Sequence, residues 1–418
     1  MNEWKEVRLD SLVNRKICYG IVQPGFSPES GIPVIKVNNI VKGLRDVSEC
    51  DKTTEEINSQ YKRTILKGGE LVISLVGTVG YVDIVPLSFA GANLVRATGM
   101  IDIEDELIKR WVLYYIRTKQ GQQYIEEHLN TTVQRALNIK DLCEMPIPIT
   151  QRSYMEKVVS ILSSLDDKIA VNKKICENLE AQAQALFKSW FVDFGPFKDG
   201  EFVESELGMI PKGWRVVSLD EMTSKFGTGL NPRQNFKLGE GDNYYVTIKN
   251  MGNNRVYLDD RCDKVTDEAI EKINKRSKLQ KGDLLFSGIG TIGRVAMLTE
   301  TPTNWNTSES VFNLHPTDGF STEFLYVLLL SDIFQSYVRI HAQGGVQQGI
   351  RMASLKQFQM TIPEESVMRD FDAKIIPIIS LIRNKDKETD RLAELRDTLL
   401  PRLMSGELKV NEIENNIS

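Results

Sequence analysis

Residues 155–194, MEKVVSILSSLDDKIAVNKKICENLEAQAQALFKSWFVDF, decide the fold. Within them Val158, Leu162, Leu165, Ile169, Asn172, Cys176, Leu179, Ala183, Leu186 and Trp190 recur alternately four and three apart. That spacing is a heptad seam, interrupted only at Asn172 and Cys176, and a seam requires a facing helix. No Pro or Gly breaks the run before Gly195-Pro196. The spacing therefore predicts one helix of about 37 residues, roughly 55 Å long at 1.5 Å per residue and too long for a single compact core. Its partner lies 213 positions further on: Phe371, Ile375, Ile378, Ile382, Lys385, Thr389, Leu392, Arg396, Leu399 and Leu403, again weakest near the middle. Two long helices at matching places in two halves imply a spacer between two modules.

The modules themselves repeat. EWKEVRLDSLV (3–13) returns as GWRVVSLDEMT (213–223), and VIKVNNI (34–40) as YVTIKNM (245–251). RTILKGGELVISLVGTVGYV (63–82) returns as RSKLQKGDLLFSGIGTIGRV (276–295), and TTVQRALNIKDL (131–142) as GGVQQGIRMASL (344–355). Four ordered matches at an offset drifting only from 210 to 213 describe one duplicated module. The expected class is α+β: two homologous domains separated by two long helices packed as an antiparallel coiled coil, related by a pseudo-two-fold. The expected boundaries are 1–150 for the first domain, 151–194 for the central helix and 195–212 for a linker. Residues 213–363 form the second domain, 364–408 the C-terminal helix and 409–418 a frayed tail.

Within each module, Leu71–Leu75 and Leu284–Phe286 read as buried strands. Ser74-x-x-Gly77-Thr78-x-Gly80 and Ser287-x-x-Gly290-Thr291-x-Gly293 read as tight turns into a second strand. Leu107–Gln123 and Thr322–Val338 have helical periodicity and are expected to cover the sheet, with strands first and helices after.

Composition excludes several classes. Of the residues, 41% are hydrophobic and 26% charged, as in an ordinary globular protein. No apolar run is long enough to span a membrane, and the first ten residues lack the core of a signal peptide. Cys18, Cys50, Cys143, Cys176 and Cys262 are scattered without a CxxC pair, which fits a reducing cytoplasm and argues against zinc. The net charge is −5, yet residues 1–150 hold 18 Lys+Arg against 19 Asp+Glu, so a basic face is permitted.

No catalytic constellation is legible. Phe226-Gly227-Thr228-Gly229 is similar to the FxGxG loop of adenosylmethionine-dependent methyltransferases. It follows a short helical signal (219–225), leads to Asn231-Pro232, and lacks the partner motif, so it reads as a plain turn. Its counterpart at Cys18-Tyr19-Gly20 reads as having lost the second glycine. Ser74 and Ser287 lie in the two SxxGTxG turns, but no histidine is expected at a matching place in both modules to serve them as a base. Glu70 and Asp283 read as turn residues, and residues 102–106 as a solvated acidic loop.

What recurs instead is polar loop chemistry suited to DNA, since Asn, Gln and Arg bond bidentately to base edges while Lys meets phosphate. The candidates are Lys36, Asn38, Asn39 and Lys42, matched by Lys249, Asn250, Asn253 and Arg255. A second group, Gln134, Arg135, Asn138 and Lys140, is matched by Gln347, Gln348 and Arg351.

Taken together, GMIPKGWRVVSL, the two SxxGTxG turns, NKKICENLEAQAQALFKSWFVDF and LRDTLLPRLMSGEL (395–408) resemble the specificity subunits of type I restriction-modification systems over essentially the whole chain. The resemblance implies a non-catalytic subunit of a DNA methyltransferase/endonuclease complex. Each domain would read half of a bipartite double-stranded target, while the helices set the gap and dock two modification subunits. It further implies no cofactor in this chain, with S-adenosylmethionine on the modification subunits and ATP and Mg on the restriction subunits. Three other readings stay open: a methyltransferase with its own recognition domain, a silent or phase-variable specificity cassette, and a protein-binding adaptor without DNA contact.

Overall fold

The structure, a computed structural model, describes residues 4–130, 134–344 and 348–408. It divides into two compact units: Met1–Val171 with Thr389–Ser418, and Asn172–Glu388. Residues 409–418, expected as a tail, lie outside the described residues.

Each unit is built on a four-stranded antiparallel sheet. In the first unit the order is Arg15–Tyr19, Thr98–Asp102, Leu71–Ser74, Val82–Ile84; in the second it is Thr223–Thr228, Val311–Pro316, Leu284–Ser287, Val295–Met297. The central strands Leu71–Ser74 and Leu284–Ser287 are buried at every residue. Their unbroken apolar run follows from a sheet covered on both faces. Leu71, Ile73 and Ile101 pack with Trp111 and Val112 of the covering helices, while Val72 and Met100 pack the other way with Ile35, Ile40 and Phe89. That second layer rests on a three-stranded sheet, Asp51–Thr53, Ile32–Ile35 and Asn93–Leu94, repeated in the second unit as Asp263–Val265, Asn243–Val246 and Trp305–Thr307.

Several local expectations are corrected. Each covering helix is two helices: Glu106–Arg117 and Lys119–Glu127 in the first unit, Thr322–Leu330 and Asp332–His341 in the second. The break falls where a hydroxyl caps the next helix, Thr118 accepting from the Gly121 amide at 3.0 Å and Ser331 from that of Phe334 at 3.4 Å. Strands do not all precede helices, because Val37–Lys42, Glu55–Gln60 and Asp267–Ser277 are helical and lie between strands. Residues 223–228, expected as helix and turn, form a strand paired with Val311–Pro316. The ladder overrides the local pattern there. The glycine shared with the first unit is the second one. Cys18 pairs Met100 as Gly227 pairs Asn313, so Gly20 corresponds to Gly229. A Cβ at either would overlap a backbone carbonyl, that of Leu94 or Thr307.

Glu70 and Asp283 do close turns, accepting from the amides of Lys67 (2.8 Å) and Gln280 (3.0 Å). They are also the buried acids of matching ion clusters. Glu70 pairs with Arg15 at 2.5 Å, and Arg15 pairs in turn with Asp102. Asp283 pairs with Lys225 at 2.7 Å and His315 at 2.8 Å. Asp102 is thus a partner of Arg15, and Asp105 caps the helix Glu106–Arg117, so the acidic stretch is not merely solvated.

The long helices run Arg152–Phe191 and Glu365–Met404, 40 residues each. Each unit contains a portion of both, packed antiparallel. In the first unit, the Tyr154 hydroxyl donates to the Leu403 carbonyl at 2.9 Å and Arg396 pairs with Asp166 at 2.7 Å. In the second, the Cys176 thiol meets the Ile382 carbonyl at 3.7 Å and Phe191 meets Phe371 edge-on at 4.8 Å. Burial, with the carboxylates of Asp386 and Glu180 beside it, pushes the Cys176 thiol up to about 11. Seam residues Val158, Leu162, Asn172, Phe371, Ile375 and Leu403 are fully buried. Phe187, Phe191, Ile379 and Leu400 widen the stripe because each helix also packs on its own unit. Pro377 lies inside the second helix, where it removes the amide that would bond the Ala373 carbonyl. Residues 195–212 are folded, with Phe202–Ser205 pairing Gly208–Pro211 and Phe197 stacking edge-on against Trp214 at 5.1 Å.

Candidate nucleic-acid interface

One end of each four-stranded sheet gathers the recurring loops. In the first unit the strands end there at Tyr19 and Ser74 and begin there at Thr98 and Val82. A chain of backbone hydrogen bonds crosses this end. The Val95 amide donates to the Ile35 carbonyl (3.2 Å), that of Arg96 to Ile21 (2.7 Å), that of Leu75 to Ala97 (2.8 Å) and that of Gly77 to Arg135 (2.9 Å). The segment carrying Lys36, the SxxGTxG turn and the Gln134 loop therefore share one end of the sheet. The second unit repeats the pattern: Ser308 to Val246, Gly288 to Ser310 and Gly290 to Gln348, each at 2.8 Å. Gly77 and Gly290 both have positive φ, 80° and 85°, which lets each turn present its amide to the adjoining loop. The serines that open the turns close them, Ser74 Oγ accepting from the Tyr81 amide at 2.9 Å and Ser287 Oγ from that of Arg294 at 2.8 Å.

On this frame the sequence candidates separate. Asn38, Lys42, Gln134, Lys140, Gln348 and Arg351 are exposed. Lys36 and Arg135 are exposed but ion-paired with Asp51 and Glu126, Lys249 pairs with Asp263 at 3.0 Å, and Asn138 donates to Asp141 at 3.1 Å. Asn253 is exposed at φ 45° and, with Asn254 at φ 58°, makes the two-residue hairpin turn between Met251–Gly252 and Arg255–Val256. Asparagine tolerates that left-handed geometry, which explains the pair. Gln347 lies outside the described residues.

One candidate is corrected and two are engaged within the chain. Asn250 is fully buried, its Oδ1 accepting from the Thr247 amide at 2.9 Å, so no base edge can reach it. Asn39 does the same for the Lys36 amide at 2.8 Å. The recurrence of asparagine here is a capping box. Arg255 is half-buried and close enough to Cys176 on the long helix to act on its thiol, while the adjacent Asn254 donates to Glu180 at 3.1 Å; this hairpin faces the helix.

Other residues at these ends escaped the sequence reading. In the first unit Tyr19 and Tyr81 are each 48% exposed, and the Arg96 guanidinium lies 6.0 Å over the Tyr19 ring. Thr228, which is buried, and Arg294 stand where Tyr19 and Tyr81 do, and Arg294 donates to the Ile248 carbonyl at 2.9 Å. No repeat signal could have found them, because they differ between the units. His128 and His341 do match, 213 apart. They stack on Tyr124 (4.0 Å) and Tyr337 (3.9 Å), with Nδ1 bonded to the same tyrosine's carbonyl, as helix-end packing. Among the described residues no group of His, Cys, Asp or Glu could hold a metal, and no helix is long and apolar enough to cross a membrane.

The family described as the type I restriction modification DNA specificity domain matches residues 1–181 and 211–395. The specificity subunit of the type I restriction enzyme MjaIX of Methanocaldococcus jannaschii is 27% identical over 386 residues, covering 90% of this chain and 84% of that protein. That of the HindI enzyme of Haemophilus influenzae is 26% identical over 333 residues, covering 65% and 71%. The crystal structure of a type I restriction-modification S subunit from M. genitalium superposes with a TM-score of 0.53 at 15% identity, covering 96% of each chain, and so shares the fold. The matches in both halves and the duplicated sheet-end frame lead to one conclusion: the chain belongs to the family of type I restriction-modification specificity subunits.

Proposed function

We propose that each unit reads one half of a bipartite double-stranded DNA target with the sheet end where its SxxGTxG turn meets its Gln/Arg loop. The observation that supports this most is one backbone frame carrying different side chains: Tyr19, Tyr81, Arg96, Arg135 and Asn138 in the first unit, Thr228, Arg294, Glu309, Gln348 and Arg351 at the same places in the second. An invariant frame with variable groups suits two different half-sites. Lys36, Lys42, Asn138, Lys140 and Lys249 are then phosphate-contacting or positioning groups and Asn38 a candidate base reader, while Asn253, which donates to the Tyr257 hydroxyl at 3.1 Å, belongs to the hairpin that faces the long helix. As a specificity subunit the chain is the non-catalytic member of its complex. In this reading the long helices set the gap between half-sites and dock two modification subunits, which carry S-adenosylmethionine. Restriction subunits with ATP and Mg complete the assembly, in the cytoplasm.

Alanine substitution of Gln134, Arg96, Gln348 and Arg351, in complexes assembled with modification subunits, tests it. A base contact loses about 1–3 kcal/mol on the cognate site alone. A phosphate contact weakens every sequence alike and lowers the salt slope by about one. If none of the four changes either quantity, the sheet end is not the reading face.

A further inference from the structure

The duplication sets up an internal comparison at the long helices. In the first unit Asp166 is the centre of a polar cluster. It accepts from Arg396 at 2.7 Å and from the Tyr114 hydroxyl at 3.0 Å, and lies 3.5 Å from Arg117. The positions 213 away are Ile379 for Asp166, Ala183 for Arg396, Val327 for Tyr114 and Leu330 for Arg117. The helix break at Thr118 and Ser331, also 213 apart, supports the register, as do Gln122 and Gln335, which each donate to a turn-glycine carbonyl at 3.0 Å. All four replacements line one cavity of about 340 Å³ in the second unit. Where the first unit holds two guanidinium groups, the second holds an opening.

The walls of that opening are not simply apolar. Glu177 and Glu180 line it from the first long helix, with Gln184 and Asn254 beside them. Gln184 donates to the Val327 carbonyl at 3.1 Å and Asn254 to Glu180 at 3.1 Å, so both amides are committed within the wall. The Glu180 carboxyl is held above its ordinary range by burial, against the Asn254 hydrogen bond, with Asp386 and Glu177 pushing it further the same way. A cation at this carboxylate would relieve the burial cost. The size falls within the range of about 300–1,000 Å³ typical of ligand pockets.

We propose that this cavity binds an arginine side chain presented by a protein partner, its stem on Ala183, Val327, Leu330 and Ile379 and its guanidinium at Glu180. The second unit's own nearby guanidinium, that of Arg383, pairs with Glu323 at 3.5 Å, so the place that Arg396 and Arg117 fill in the first unit is left to an arginine from outside and the two units dock their partners unequally. The inference rests on the reading that protein subunits dock along the long helices.

Agmatine, which is arginine without its carboxylate and presents the same guanidinium on an aliphatic stem, is the probe. Its binding to the full chain is followed by calorimetry, for the wild type, E180Q and the self-filling A183R. Agmatine binds the wild type, about tenfold or more weakly to E180Q, and not to A183R. Assembly with modification subunits, measured in parallel, is weakened in A183R. E180Q is isosteric and keeps the inference testable should A183R fail to fold. Absence of agmatine binding by the wild type, or equal binding by wild type and E180Q, overturns the pocket while leaving docking intact. Agmatine binding with full-strength assembly by folded A183R overturns the partner assignment. Failure of the wild type to assemble at all counts against the docking reading instead.

Discussion

At the scale of the residue, recurrence between two halves marks what the fold needs. Asn39 and Asn250 recur because each bonds the amide at the start of its own short helix, at 2.8 and 2.9 Å. Ser74 and Ser287 recur because each closes its turn. Base-reading groups in a subunit with two different half-sites have the opposite signature: the same place, a different side chain. Arg96 with Tyr19, standing where Glu309 and Thr228 stand in the second unit, has it. Asn250→Ala is therefore expected to lower stability by about 1 kcal/mol through the lost cap, with the DNA target unchanged. Chemical denaturation and methylation mapping read the two effects separately. An altered target in a stably folded Asn250→Ala protein would return this buried asparagine to the interface.

At the scale of the element, the helix seam was legible from its spacing, and its polar interruptions now have meaning. Asn172 is fully buried, and neither atom of its amide has a hydrogen-bond partner among the described residues. An unsatisfied buried amide costs about 1–3 kcal/mol, and a single polar seam residue is a known way to hold a register. Asn172→Leu is expected to raise the midpoint of chemical denaturation by an amount worth about 1–2 kcal/mol. The cost appears as looser pairing, visible as faster amide exchange along both long helices. A destabilised Asn172→Leu protein would mean that the amide has a partner, such as ordered water, that supports the helix. The broken covering helices teach the converse. The periodicity ran straight through Thr118 and Ser331, because a hydroxyl cap interrupts the backbone without interrupting the apolar face.

At the scale of the whole molecule, the duplication makes each unit a self-contained core with its own sheet, covering helices and portion of both long helices. Exchange of residues 1–150 for the corresponding domain of another specificity subunit is expected to alter one half of the methylated target and preserve the other. Sequencing methylated adenines in cells that express the hybrid with its modification subunit checks this. Loss of the retained half-site would show that the two cores do not read independently.

The sequence by itself determined the duplication, the two long helices with their seams, the buried central strands and the family. Each of these rests on periodic or repeated patterns extending over many residues, where local exceptions average out. The tertiary structure alone decided which polar residues are inside. Asn250 and Asn253 are three positions apart in one loop, yet one caps a helix in the interior and the other turns a hairpin at the surface. It alone decided that residues 223–228 form a strand, since their partner Val311–Pro316 lies about 90 positions away and leaves no local trace. The cavity at Ala183, Val327, Leu330 and Ile379 belongs to the same class. Four substitutions from three separate helices meet in one space, and only the packing of those helices brings them together.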